Sequence, residues 1–222
     1  KALLRELVLV GSPIGVQALL EVGAFAAVTL MIGTLGSDVL GGSQVALNVA
    51  STSFTLVMGV AAAVSARVAL ACGRRAVDEA RRSGWATFGL AWLLAATAGT
   101  VMVVFPDEIV GLYVSDPAVV PWALKFLLCA TAFQLFDMTQ GAGFGVLRGA
   151  GDTRVPALFN VVGYYVVALP LAWWWISVEH RDATWLWWAL TLGLATIAAL
   201  LLLRFARVVR RGGPLDTAPS AG

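Results

Sequence analysis

Charge is scarce in this sequence. Of its 222 residues only 13% are Asp, Glu, Lys or Arg, whereas 59% are hydrophobic, and a soluble domain carries roughly 25% charged residues. A water-soluble chain of this length can bury one core, but its outside still needs polar side chains to cover it. Long stretches here offer none, and mean hydropathy is +0.85, so the apolar excess must face lipid. Cysteine and histidine are almost as sparse. Two Cys and one His exclude a disulfide framework and any zinc-ligand spacing. Cys72 and Cys129 are expected to pack as small apolar residues, and His180 is a lone loop histidine. A net charge of +2 does not imply a nucleic-acid partner, because the placement of the charges matters more than their sum. The sequence opens on Lys1 rather than Met, and the stretch to Glu6 lacks the architecture of a cleavable signal. The chain is therefore expected to be part of something longer.

What the sequence does contain is six apolar runs. A bilayer core of about 30 Å needs roughly 20 apolar residues in a helix. Runs of that kind, bounded by charge or by Gly and Pro, cover approximately 7–35, 40–71, 84–105, 119–147, 155–177 and 183–205. The fold class this predicts is all-α, a polytopic membrane protein of six helices filling residues 1–211, with 212–222 as a disordered cytoplasmic tail rich in Gly, Pro and small residues.

Counting loops alternately puts 13 of the 15 basic residues on one side: Lys1, Arg5, Arg67, Arg74, Arg75, Arg81, Arg82, Arg148, Arg154, Arg204, Arg207, Arg210 and Arg211. Only Lys125 and Arg181 fall on the other. Positive-inside bias then places both termini in the cytoplasm. Trp122, Trp173, Trp174, Trp175, Trp185, Trp187 and Trp188 gather near the expected outer ends, where indoles anchor at the interface. Asp78, Glu79, Arg81 and Arg82 at helical spacing suggest a short surface helix within 73–83, and 106–117 is expected to form an outer turn.

Two acids lie deep inside these runs, Glu21 and Asp137. An ionisable group at the bilayer centre costs several kcal/mol, so it normally faces a cavity or partner and marks an ion path. At 1.5 Å per residue Asp137 lies about 16 Å from the cytoplasmic boundary and Glu21 up to about 24 Å. No basic residue shares that depth, which leaves a proton, a metal cation such as sodium, or a cationic substrate as counter-charge. The competing reading is a neutral carboxyl hydrogen-bonded across a helix interface. Candidate cavity-lining residues at similar depth are Gln17, Gln44, Asn48, Phe133, Gln134 and Gln140, among further polar residues including Ser53, Thr139 and Asn160. Gly141, Gly143 and Gly145 allow close helix packing.

Gly149, Gly151 and Asp152 also spell the GxGD pattern of intramembrane aspartyl proteases. That chemistry needs the aspartate inside a membrane helix facing a second one. Asp152 stands instead between Arg148 and Arg154 at a helix boundary, which points to a solvated turn or cap.

The stretch GSPIGVQALLEVGAFAAVT from Gly11, the run Gln44-Val45-Ala46-Leu47-Asn48, and FQLFDMTQGAGFGVLRGAGDTRVP from Phe133 together resemble the second half of bacterial multidrug and toxic compound extrusion (MATE) transporters. The resemblance implies a twelve-helix antiporter of two six-helix lobes, of which this chain supplies the C-terminal lobe and lacks its N-terminal partner. It implies export of small, often cationic organic compounds against H+ or Na+, with no organic cofactor and no enzymatic activity. By position, Glu21 and Asp137 match the second-lobe acids implicated in cation binding. The chain departs from the pattern at Ser43, where many relatives have His, and at Phe133, where some sodium-coupled relatives have Tyr. Without that phenolic oxygen, sodium ligation would need water or a carbonyl. Alternative readings are a lipid-linked precursor flippase of the same superfamily, whose cavity would carry basic residues for pyrophosphate, the aspartyl protease, and a noncatalytic assembly subunit.

Overall fold

The computed structural model describes residues 2–210, with side chains described from 11 to 209. The expected tail, and the side chains of Lys1, Arg5, Arg210 and Arg211 from the basic set, lie outside those residues. Apolar runs of this length cannot leave backbone N–H and C=O groups bare in lipid, so each closes its hydrogen bonds within itself as a helix. The order is α1 (Ala2–Gly33), α2 (Ser37–Gly73), α3 (Val77–Val104), a single short turn of helix α4 (Pro106–Gly111), α5 (Val120–Gly149), α6 (Arg154–Ser177) and α7 (Thr184–Arg210). All but α4 are long and apolar enough to cross a membrane, in keeping with the six expected crossings. At 37 residues, α2 extends about 55 Å and overruns a hydrocarbon core of about 30 Å.

Two connections differ from the expectation. Residues 73–83 form no separate surface helix. Arg75 takes a left-handed φ of 57°, the Ala76 N–H bonds back to the Ala71 carbonyl at 2.9 Å, and from Val77 the chain is already α3. No breaker stands between Val77 and the apolar run, so the charged turn simply becomes the first turn of the spanning helix. Its acids, Asp78 and Glu79, sit at the positive end of the helix dipole, and Arg74 Nη2 grips both Glu79 oxygens at 3.0 Å. The connection expected as a turn at 106–117, in contrast, holds helix α4, with Pro106 in its first turn where no N–H is needed.

The core is organised around α5, which is buried on nearly all sides through its second half. Lipid is as apolar as leucine, so helices associate by close packing rather than by escape from water. Glycines provide that closeness. A Cβ on Gly145 would stand 2.6 Å from the Ala61 carbonyl of α2, and one on Gly149 would stand 2.5 Å from the Ser65 carbonyl. Gly143 presents its bare backbone to Leu201 of α7.

α6 is irregular in its middle. Val161–Ala168 is wound as a π-helix, and at its end the Leu169 N–H reaches back five residues to the Tyr164 carbonyl. Pro170 lies just beyond, in the first turn of the following α-helical stretch, and it offers no N–H to an ordinary ladder. Wide turns of this kind re-aim side chains and recur at functional sites.

Candidate functional site

A cavity of about 610 Å³ opens against α1, α2 and α5. α1 contributes Glu21, Phe25 and Thr29, α2 contributes Gln44, Ser51 and Phe54, and α5 contributes Phe133 and Asp137. The spacing explains the convergence. Glu21 and Phe25 stand one helical turn apart on α1, and Phe133 and Asp137 stand one turn apart on α5, so each helix presents one ring and one carboxylate to the same space. Asp137 is buried and Glu21 half-buried. The mouth lies along exposed α1 residues, Val22 and Leu30 among them.

Behind the carboxylates runs a buried hydrogen-bonded network linking α1, α5 and α6. The Asn160 amide sits beside the Glu21 carboxylate and donates to the Gln17 carbonyl of α1 at 3.3 Å. The Gln140 amide donates to Asn160 Oδ1 at 3.4 Å. Tyr164, from within the π-helical turn, donates its hydroxyl to Gln140 Oε1 at 3.3 Å. Its neighbour Tyr165 faces the other way and donates to the Leu20 carbonyl at 3.1 Å, one residue before Glu21. Two consecutive tyrosines thus brace α1 and α5.

The residues singled out from the sequence separate into three groups. Glu21, Asp137, Gln44 and Phe133 line the cavity. Gln17, Gln134 and Gln140 are buried outside its lining; Gln134 donates to Ser53 across the α2–α5 contact, leaving its own carbonyl oxygen without a partner. Asn48 stands one turn beyond Gln44 on α2 and outside the lining. It is exposed and donates to the Gln44 carbonyl of its own helix at 2.8 Å, because a polar side chain on an open helix face satisfies itself on the preceding turn.

Phe133 sits edge-on to Phe25 at 5.9 Å and to Trp187 at 5.4 Å between ring centroids, so this position supplies hydrocarbon to the cavity wall. Trp187 also departs from the expected interfacial anchor: it is buried, and its indole N–H donates to Ser43 Oγ at 3.0 Å. Asp152 departs from a solvated turn, since its carboxylate is buried and accepts from Arg204 Nε at 2.7 Å. Tyr164 was not singled out from the sequence. Its only linear signal was its place beside Gly163 in a span, which does not distinguish packing from participation. Among the described residues no group of three or more His, Cys, Asp or Glu assembles to hold a metal ion.

Six membrane-length helices, the glycine-rich α5 central among them, with two acids facing a shared lateral cavity, define a polytopic helical membrane protein with a candidate ion path. The MatE family model matches residues 13–174, and the chain belongs to that family. It is 38% identical over 210 residues to the "Probable multidrug resistance protein NorM" of Burkholderia pseudomallei, covering 92% of this chain and 45% of the relative. A protein of the same description from Xanthomonas campestris is 37% identical over 206 residues, covering 93% and 45%. Among solved structures, the eukaryotic MATE transporter AtDTX14 superposes with a TM-score of 0.83 at 24% identity, over 93% of this chain and 48% of its own. An outward-facing multidrug resistance MATE transporter of the MOP superfamily gives 0.87 at 14% identity, over 98% and 48%. The chain spans about half the length of the relatives it matches.

Proposed function

We propose that this chain is the C-terminal lobe of a multidrug efflux transporter in which Glu21 and Asp137 hold the coupling cation. One observation carries the reading: two carboxylates from different helices face one cavity whose lining includes no Lys or Arg. Two such groups in a poorly solvated space repel unless a proton or a sodium ion comes between them. A cation held there contributes different free energy to inward-open and outward-open arrangements, which is what a coupled population shift requires. The absence of basic side chains from the lining disfavours a pyrophosphate-bearing precursor, and a carboxylate engaged by Arg204 is poorly placed for aspartyl proteolysis. The relatives' multidrug resistance descriptions support chemically varied organic compounds as cargo, and the two acids in the cavity favour cationic ones. A second six-helix lobe would complete the cavity on its open α1 side, with the basic ends of the helices in the cytoplasm of a bacterial inner membrane.

The test uses a complete two-lobe protein carrying this sequence. Glu21→Gln and Asp137→Asn, introduced separately, should each reduce drug efflux driven by an imposed proton or sodium gradient while leaving membrane expression unchanged. Wild-type efflux by both variants would remove the pair from the coupling role. Orientation is tested apart: in a Cys-free background, a cysteine at Ala76 should be protected from an impermeant reagent in intact cells and one at Val178 labelled.

A further inference from the structure

Away from the acidic cavity, α2 and α3 enclose a cleft of about 340 Å³ whose lining pairs two arginines with apolar walls. Arg67 enters from α2 and Arg82 from α3, and below them lie Val60, Ala63, Val64 and Leu90. Both arginines are exposed, and among the described residues neither has a carboxylate partner, whereas Arg74, Arg181 and Arg204 each have one.

Their height along the helices is informative. Between Asp38 and Arg67 α2 carries no charge, a stretch of about 44 Å, and between Arg82 and Val104 α3 carries none, a stretch of about 33 Å. Each stretch exceeds the hydrocarbon core of about 30 Å. Arg67 and Arg82 are thus the first charges met on leaving the membrane, at the level of lipid phosphates. The apolar floor beneath them points toward the bilayer centre. Of the two hydroxyls in the lining, on Ser83 and Thr87, the deeper one, on Thr87, is turned onto the Ser83 carbonyl of its own helix at 2.8 Å.

We propose that this cleft binds an anionic glycerophospholipid, with its phosphate between the two guanidiniums and an acyl chain along Val60, Ala63 and Leu90. Charge complementarity selects the headgroup, since guanidinium pairs phosphate with two parallel hydrogen bonds. The apolar walls select a lipid over a soluble phosphate. The proposal rests on the membrane-spanning fold and is independent of the coupling role of Glu21 and Asp137.

The experiment is native mass spectrometry of the complete two-lobe protein carrying this sequence, released from nanodiscs containing equal phosphatidylglycerol and phosphatidylcholine. Wild-type protein should retain phosphatidylglycerol selectively. An arginine near an anionic surface is worth roughly fivefold in association, so R67Q/R82Q should lower retention by about 25-fold. R67K/R82K should keep most of it, and R75Q/R81Q all of it. Ala63→Trp, which fills the apolar floor and leaves both arginines in place, should reduce retention as well, and millimolar glycerol phosphate should not displace the lipid. Equal retention of the two lipids by wild type overturns the proposal whatever the variants do. So does displacement by glycerol phosphate, or a second copy of the chain occupying the cleft in place of lipid.

Discussion

Arg204 Nε donates to Asp152 Oδ2 at 2.7 Å and pins the turn between α5 and α6 against α7. The two residues are 52 apart in sequence, with the carboxylate buried and the guanidinium about one-third exposed. Removing one partner of a buried pair strands the other, a cost that partial exposure of the arginine reduces. Asp152→Ala and Arg204→Ala should each destabilise the detergent-solubilised protein by about 2 kcal/mol, or roughly 5 °C in melting temperature. The double variant should cost no more than the worse single one. Additive losses in that double-mutant cycle would show that the pair is not coupled.

Gly145 and Gly149 define the separation of α5 from α2, because a methyl group at either would meet the backbone of Ala61 or Ser65. Gly145→Ala and Gly149→Ala are expected to lose about 1–3 kcal/mol each by overpacking. Gly59 and Gly89, also on α2 and α3, have nothing within 4 Å of an added Cβ, and their Ala variants should be neutral or slightly stabilising. Thermal melts of the four variants provide the comparison, and a uniform response would contradict it.

Asn160 touches α1 and α5 and stands beside Glu21. It is a positioning residue in the proposed mechanism. Groups one step removed from a bound ion change its affinity by roughly tenfold or more when lost. Asn160→Leu in the two-lobe protein should therefore raise the driving-ion concentration for half-maximal efflux by about tenfold, with maximal efflux at saturating ion largely kept. A fall in maximal rate with unchanged ion dependence would instead indicate a packing role.

The loop after α6 has its own pH dependence. Arg181 and the Trp174 indole both hydrogen-bond Glu179 and hold its carboxyl below its ordinary value of 4.5. A depressed carboxylate contributes its stabilisation above the unfolded value and loses it as pH falls through the folded one. Amide exchange at Val178 to Arg181, corrected for intrinsic rates, should thus stay constant above about pH 5 and rise only below pH 4.5. Glu179→Gln should abolish that step while leaving α6 and α7 unchanged. A rise centred above pH 5 would point to a different titrating group.

The membrane-spanning pattern was legible because lipid imposes a simple rule: backbone polar groups must close within a segment, so the length and polarity of a run reveal the helix. Glu21 and Asp137 stood out for the same reason, being charges that the surrounding solvent penalises. Rotation of each helix about its axis was not legible. Lipid and protein interior are equally apolar, so hydropathy does not separate the face of α2 that turns Gln44 to the cavity from the opposite face that buries Ala46.

Fold class, the number of crossings and the depth of the two acids were thus determined by the sequence itself, through the cost of placing polar groups in hydrocarbon. The tertiary structure alone decided which polar groups meet. The π-helical turn of α6 places Tyr164 against Gln140 and Tyr165 against Leu20, Phe133 turns its ring between Phe25 and Trp187, and Asp152 finds Arg204 rather than water. Each of these depends on contacts between separate helices, and the tyrosine pair also on a local change in winding. No linear spacing of residue types encodes those relations.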